Sequence, residues 1–426
     1  MQLLFIRLRS GLALACLLWL AFVLPAKGIA TAFRPEVLAQ LDAAITNALV
    51  ERQCPGAVLW LEHDGQIYQK AYGLRAVKPA SEPMTVDTVF DVASLTKVLA
   101  TTPAMLRLIE RGQVRLDDPV RQYIPEFCAP GTGAITVRHL LTHTSGFLVG
   151  ISNGEFRDSA GAIARAVQEQ PRVVPGTEFH YCDLNFILLA EIVRRVAKEP
   201  LNEWVATEFY RPLRMNDTGY LPPASLRPRI APTQEIYTGV LRGTVHDPTA
   251  RRMGGVAGHA GVFSTAADIA RFARMLLNEG ELDGVRVFQS ETVRLMTGVQ
   301  SPKEVAARRA LGWDLDSGYS RPRGLVFPLG SYGHTGFTGV LLWIDPFSKT
   351  FVIFLTNRLH PRGEGNIVEL YGVVGTLAAR AVADFDFAQV PDALPFRTNF
   401  IPWGATTNFL KSAPARKVPA AENRLP

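Results

Sequence analysis

Two strand-like runs at 57–61 and 66–72 flank Asp64-Gly65. Strand-like patterning on both sides of two residues that tolerate positive φ predicts a β-hairpin. Near the other end, apolar runs at 339–344 and 351–356 are separated by a turn from Asp345 to Lys349 and predict a second hairpin. Between the two the period changes. Apolar residues at helical spacing predict helices at 95–111, 162–170, 184–198 and 266–278, and an amphipathic helix at 367–383 follows the second hairpin. Thr265, with Asp268 three residues on, caps the fourth helix; Gly112 stops the first, and Pro103 must kink that helix or sit near its start. The pattern is β structure near both chain ends and mostly helix between, with no internal repeat.

The 426 residues exceed one small core, and 47% hydrophobic with 20% charged residues gives a globular chain rather than a disordered one. The formal charge of +6 does not mark a nucleic-acid binder. Three of its cations, Arg7, Arg9 and Lys27, stand in an N-terminal stretch without acids, and the others are mixed with carboxylates. That stretch, a basic head, an apolar run at 11–24 and then Pro25 to Ala30, has the layout of a secretory signal peptide, so export to the periplasm or medium is expected. A membrane association would require the segment to stay uncleaved. Of four cysteines, Cys16 would leave with the signal; Cys54, Cys128 and Cys182 form no CxxC pair and are expected to be buried and inert. The tail at 411–426 is too poor in apolar residues to pack and is expected to be disordered.

The candidate chemistry starts at Ser94-Leu95-Thr96-Lys97. Residues three apart on a helix share a face, which brings a lysine amine to a serine hydroxyl. Ser94 also follows the strand-like Thr88-Val89-Phe90-Asp91-Val92 and opens a helix, where amide dipoles favour developing negative charge. Tyr181-Cys182-Asp183 lies between the Pro175-Gly176 turn and a helix, a place from which a phenol can reach into a cleft and shuttle a proton. His334-Thr335-Gly336 comes just before the run at 339–344, where a strand edge could align with a bound acyl group. GxSxG, Walker and HExxH patterns are absent, and neither a metal nor a cofactor is called for.

Taken in order, SxxK, then Tyr-x-Asn and Lys-Thr-Gly equivalents, the chain resembles the serine β-lactamases and penicillin-binding proteins from about 33 to 385. Within them it is most similar to the class C β-lactamase branch, with its D-alanyl-D-alanine carboxypeptidases and esterases. His139-Leu140-Leu141-Thr142-His143-Thr144-Ser145-Gly146 and the glycine-rich run 254–265 add to the likeness. The resemblance implies an α+β fold: an antiparallel five-stranded sheet flanked by helices (about 31–112 and 325–390) with a mostly helical insertion at about 113–324, inside a domain of 31–410. It also implies Ser94 as nucleophile, Lys97 and Tyr181 sharing acid and base work, and an oxyanion site from the backbone N–H groups of Ser94 and Phe337. His334, Thr335, Gly336, Phe337 and Asp183 would contact the substrate.

Two positions depart from the family pattern. Asp183 replaces an asparagine, exchanging an amide donor for a carboxylate that could instead pair with Lys97 and hold it charged. His334 replaces a lysine, which leaves a part-time cation near neutral pH. His143 and His259 are read as loop braces; His246-Asp247 could form half of a metal site or triad, but Pro248 follows directly and no partner motif is visible. Three functions remain open: a D,D-carboxypeptidase acting on small or peptidoglycan-derived peptides and amides, a carboxylesterase on small acyl esters, and a silent binder of peptidoglycan fragments.

Overall fold

The computed structural model describes residues 32–151, 156–390 and 393. The expected export signal at 1–30, Cys16 within it, and the tail at 411–426 lie outside the described residues. Eight antiparallel strands form the main sheet: β1 (Gly56–His63), β2 (Gln66–Ala76), β3 (Glu82–Pro83), β4 (Arg308–Arg309), β5 (Asp314–Asp316), β6 (Tyr332–Gly336), β7 (Val340–Asp345) and β8 (Thr350–Thr356). Their order is β4-β5-β6-β7-β8-β1-β2-β3, so β1 and β8 from opposite chain ends lie side by side at the centre. The expected five strands are β1, β2, β6, β7 and β8; three short strands outside them, β4 and β5 on one side and β3 on the other, raise the count to eight.

Both hairpins form where the pattern puts them. Asp64 and Gly65 turn at φ +43° and +81°, and His63 faces Gln66. Alternation then sorts the β1 side chains between two cores. Leu59 and Leu61 face the helices Pro35–Val50 and Val368–Ala381, together with Leu341, Trp343, Val352 and Phe354. Val58 and Trp60 face the helical middle of the chain, with Val340, Leu342, Ile353 and Leu355. Buried on both faces, β1 reads as an apolar run. Phe33 bridges Val382, and the Arg34 N–H donates to the Ala381 carbonyl at 2.7 Å, which ties the two ends of the domain together.

The helices at 184–198 and 266–278 appear as Leu184–Ala197 and Ala266–Leu277, the latter capped by the Thr265 hydroxyl accepting from the Asp268 N–H at 3.2 Å. The helix at 162–170 is shorter and earlier, Ser159–Ala166, because Asp158 rather than a later residue caps it. His334-Thr335-Gly336 comes just before β7, as expected, and itself stands on a strand, β6, that the pattern did not predict. Gly333 disguises that strand: any Cβ there would come within 2.2 Å of the Trp343 ring on β7. Cys54 and Cys182 are buried, with thiols pushed up by burial to about 12 and about 11, but Cys128 is exposed. Among the described residues no helix is long and apolar enough to cross a membrane.

The helix that follows Ser94 is continuous, with a π-helical stretch, Lys97–Thr101, leading into Thr102–Glu110. Pro103 sits in the first turn of the second part. It lacks the N–H that would bond the Leu99 carbonyl, and the buried Tyr210 hydroxyl donates to that carbonyl instead at 3.1 Å. Upstream, the Thr102 N–H reaches back five residues to Lys97 O. Tyr210→Phe would leave the Leu99 carbonyl buried and unpaired, a loss of about 1–3 kcal/mol. A lower denaturant midpoint with unchanged m-value checks this.

Candidate active site

The serine is placed by a strained turn. Phe90–Asp91 pairs with Val262–Ser264, and the chain passes through Ala93 at φ +44° into the helix. A left-handed alanine costs of order 1–3 kcal/mol, so the turn needs support. Buried Asp91 provides it: its carboxylate accepts the Ala93 N–H at 2.9 Å and the His246 N–H at 2.7 Å. Burial pushes this carboxyl up to about 6 despite those two donors. The Thr338 hydroxyl donates to the Asp91 carbonyl at 2.7 Å and fastens the β6–β7 turn to the same spot. Gly336 completes the junction, since a Cβ would stand 2.7 Å from the Val92 carbonyl.

Behind Ser94 lies Lys97, with no exposed surface. Its ammonium donates to Ser94 Oγ at 2.9 Å and to the His259 carbonyl at 3.2 Å, and stands 2.7 Å from Asp183 Oδ1. Burial alone would strip this charge, but the Asp183 carboxylate and the Tyr181 hydroxyl more than offset it, and the Lys97 pKa is raised. Burial likewise opposes an ionised Asp183, and Lys97 and His259 override it, holding the carboxyl below its usual range. The site therefore rests as an ion pair.

Tyr181 completes the group. Its hydroxyl faces Lys97 and Ser94, and burial keeps it a phenol with a raised pKa despite the nearby ammonium. Its ring stacks on His143 at 4.6 Å and under the Lys97 ammonium at 4.9 Å. His143 is more than a loop brace. Its Nδ1 meets the Cys182 N–H at 3.2 Å and the Asn185 amide at 3.1 Å, so it fixes the tyrosine from below, and burial holds it neutral.

Ser94, Tyr181, His334, Thr335, Gly336 and Phe337 line one cavity of about 400 Å³. Asp183 does not line that cavity, and its Oδ1 is turned onto Lys97, the pairing that its replacement of an asparagine made possible. His334 is not a part-time cation either. Burial, with Lys97 and Arg309 nearby, pushes it well below the usual imidazole range, and its Nδ1 meets the Thr335 carbonyl at 2.7 Å. Positive charge in the cavity comes instead from Arg309, Arg321 and Arg358, which the sequence reading did not single out. Arg309 is paired with Asp314 at 2.9 Å, and Arg358 stacks on the Phe337 ring at 4.7 Å.

His246-Asp247 finds a partner across the fold. Asp247 Oδ1 is 2.9 Å from His259 Nε2, and the same carboxylate caps the helix Pro248–Arg252. Nothing in a spacing of twelve residues through a glycine-rich loop signals this pair. Donor atoms of Asp183, Asp247 and His259 fall within 4.8 Å of one another. The Lys97 ammonium already answers that negative charge, so a metal ion would have to compete with it.

The model for the Beta-lactamase family matches residues 41–371. The chain belongs to this family. Of the curated relatives of this beta-lactamase-family chain, one from Escherichia coli K12, described as "Putative D-alanyl-D-alanine carboxypeptidase", is 32% identical over 367 residues, covering 77% of this chain and 84% of the relative. An octameric penicillin-binding protein homologue from Pyrococcus abyssi shares the fold, with a TM-score of 0.63 at 22% identity over 81% of this chain and 79% of its own. A family VIII carboxylesterase gives a TM-score of 0.63 at 21% identity over 82% and 98%. The protein is thus a serine hydrolase of the serine β-lactamase and penicillin-binding protein superfamily.

At Gly336 an added methyl would overlap both Val92 O and the Val340 side chain, at 2.7 and 2.5 Å. Gly336→Ala forces β6 away from the serine turn, and a displacement of that kind can slow reaction about 10²-fold. The rate of Ser94 labelling by a fluorophosphonate, read by intact mass, checks this.

Proposed function

We propose that this hydrolase forms an acyl-enzyme on Ser94, and that its substrates are peptidoglycan-type peptides ending in a carboxylate, cleaved as by a D,D-carboxypeptidase. The observation that carries the reading is the hydrogen bond at 2.9 Å between Ser94 Oγ and the buried Lys97 ammonium, at the wall of a cavity also lined by Tyr181 and Phe337. Ser94 attacks the carbonyl, and the backbone N–H groups of Ser94 and Phe337 hold the oxyanion. Tyr181, a phenol in the resting site, is placed to protonate the leaving amine. With His334 neutral, the substrate's carboxylate would meet Arg358, with which no carboxylate pairs among the described residues. Relatives bearing the D-alanyl-D-alanine carboxypeptidase name support the substrate class, and the layout of 1–30 supports action outside the cytoplasm.

One observation favours esters of small acyl groups as a second reading. Phe337, Tyr319 and Val368 line the cavity while 65%, 50% and 43% exposed, which gives its mouth an apolar rim.

Intact mass after exposure to a fluorophosphonate and, separately, to a penicillin tests the proposal. Adducts with both reagents on wild type, and none on Ser94→Ala, are expected; a fluorophosphonate adduct alone, with steady p-nitrophenyl ester turnover and no D-Ala release, would favour the esterase. Arg358→Ala is expected to raise KM for a peptide ending in D-Ala roughly tenfold or more, the loss of a hydrogen bond to a charged group, as measured by D-Ala release.

A further inference from the structure

We propose that Asp183 is the terminal proton acceptor of a relay, Ser94 to Lys97 to Asp183, so that the lysine conducts the proton and stays an ammonium. The proposal rests on the serine-hydrolase reading of Ser94 and deepens it.

The geometry singles out this carboxylate. Asp183 occupies the N-cap position of the helix Leu184–Ala197, where an aspartate ordinarily accepts an N–H of the first turn, yet it makes no such bond. Oδ1 is buried and 2.7 Å from Lys97 Nζ, and among the described residues no hydrogen-bond donor engages it. Lys97 Nζ in turn is 2.9 Å from Ser94 Oγ, so one nitrogen touches both ends of the transfer. The Asp183 side chain as a whole is 42% exposed, so its other face meets solvent. The charged and titratable groups facing the carboxylate are Lys97 and Tyr181 on one side and Asp247 and His259 on the other.

The step balances without a co-reactant. As Ser94 Oγ bonds to the carbonyl carbon, its proton passes to Lys97 Nζ and a different Nζ proton passes to Asp183 Oδ1. The tetrahedral intermediate then carries the negative charge, and Asp183 is neutral. When the bond to the leaving nitrogen or oxygen breaks, Tyr181 protonates that atom and recovers its proton from Lys97, which takes one back from Asp183. A charged lysine alone could not begin this sequence, because it has no free pair for the serine proton.

Fluorophosphonate labelling of Ser94, followed by intact mass from pH 5 to 10, decides between the relay and a neutral lysine base. The relay needs Asp183 ionised, and its pKa is lowered, so wild-type labelling is expected to stay level from pH 9 down to 6. Asp183→Asn removes the acceptor and leaves a deprotonated Lys97 or Tyr181, both with raised pKa values, as base. Its labelling at pH 6 is expected to fall by about 10²-fold, the size of a lost general base, and to recover as pH rises. If neutral Lys97 were the base in wild type, its raised pKa would make labelling climb about tenfold per pH unit through neutrality, and Asp183→Asn, by lowering that pKa, would label faster at pH 7. Either result, or an unchanged profile in the variant, overturns the relay while leaving Ser94 as nucleophile. No Ser94-dependent adduct in wild type at any pH overturns the hydrolase reading and the relay with it. Asparagine is nearly isosteric and is the residue of the family pattern, and the wild-type profile tests the relay even if the variant fails to fold.

Discussion

A lysine side chain without exposed surface keeps its proton only if the fold answers its charge at close range. In this hydrolase the answers come from separate segments. Ser94 lies on the same helix, Asp183 and the Tyr181 ring come from the loop before the helix Leu184–Ala197, and the His259 carbonyl comes from the glycine-rich loop. Removing any one leaves part of a buried ammonium unmet, so the charge that prepares the chemistry also holds the three segments in register.

Backbone irregularity gathers around that charge. Ala93 and His143 both turn at positive φ, and each is held by buried polar neighbours, Asp91 for the first and the Cys182 N–H and Asn185 amide for the second. The π-helical stretch begins at Lys97 itself, and Tyr210 satisfies the carbonyl that Pro103 leaves free. None of these features would survive on local preference. The surrounding core, continuous from β1 through the helical middle of the chain, keeps them in place.

The sequence disclosed what is local. Asp64-Gly65, the Thr265 cap and the three-residue spacing of Ser94 and Lys97 act through neighbours, and the structure shows each where it was expected. What depends on packing was hidden. The strand carrying His334 is masked by Gly333 and Gly336, which exist for close approach rather than for strand propensity. The short strands β4 and β5 carry arginines and aspartates rather than an apolar run, so no pattern announces them, yet Arg309 and Asp314 are buried as a pair. The neutrality of His334 follows from burial and from Lys97, which no spacing reveals. The Asp247–His259 pair joins positions that only the glycine-rich loop brings together.

Placing β1 between β2 and β8 also imposes an order in time on biosynthesis. The first hairpin is complete soon after the ribosome reaches Ala76, but the other edge of β1 has no partner until Thr350–Thr356 is made. Until then an apolar strand shows a row of open N–H and C=O groups, the kind of edge that recruits other chains. A chain that ends before Thr350 therefore leaves one whole edge of β1 without its partner.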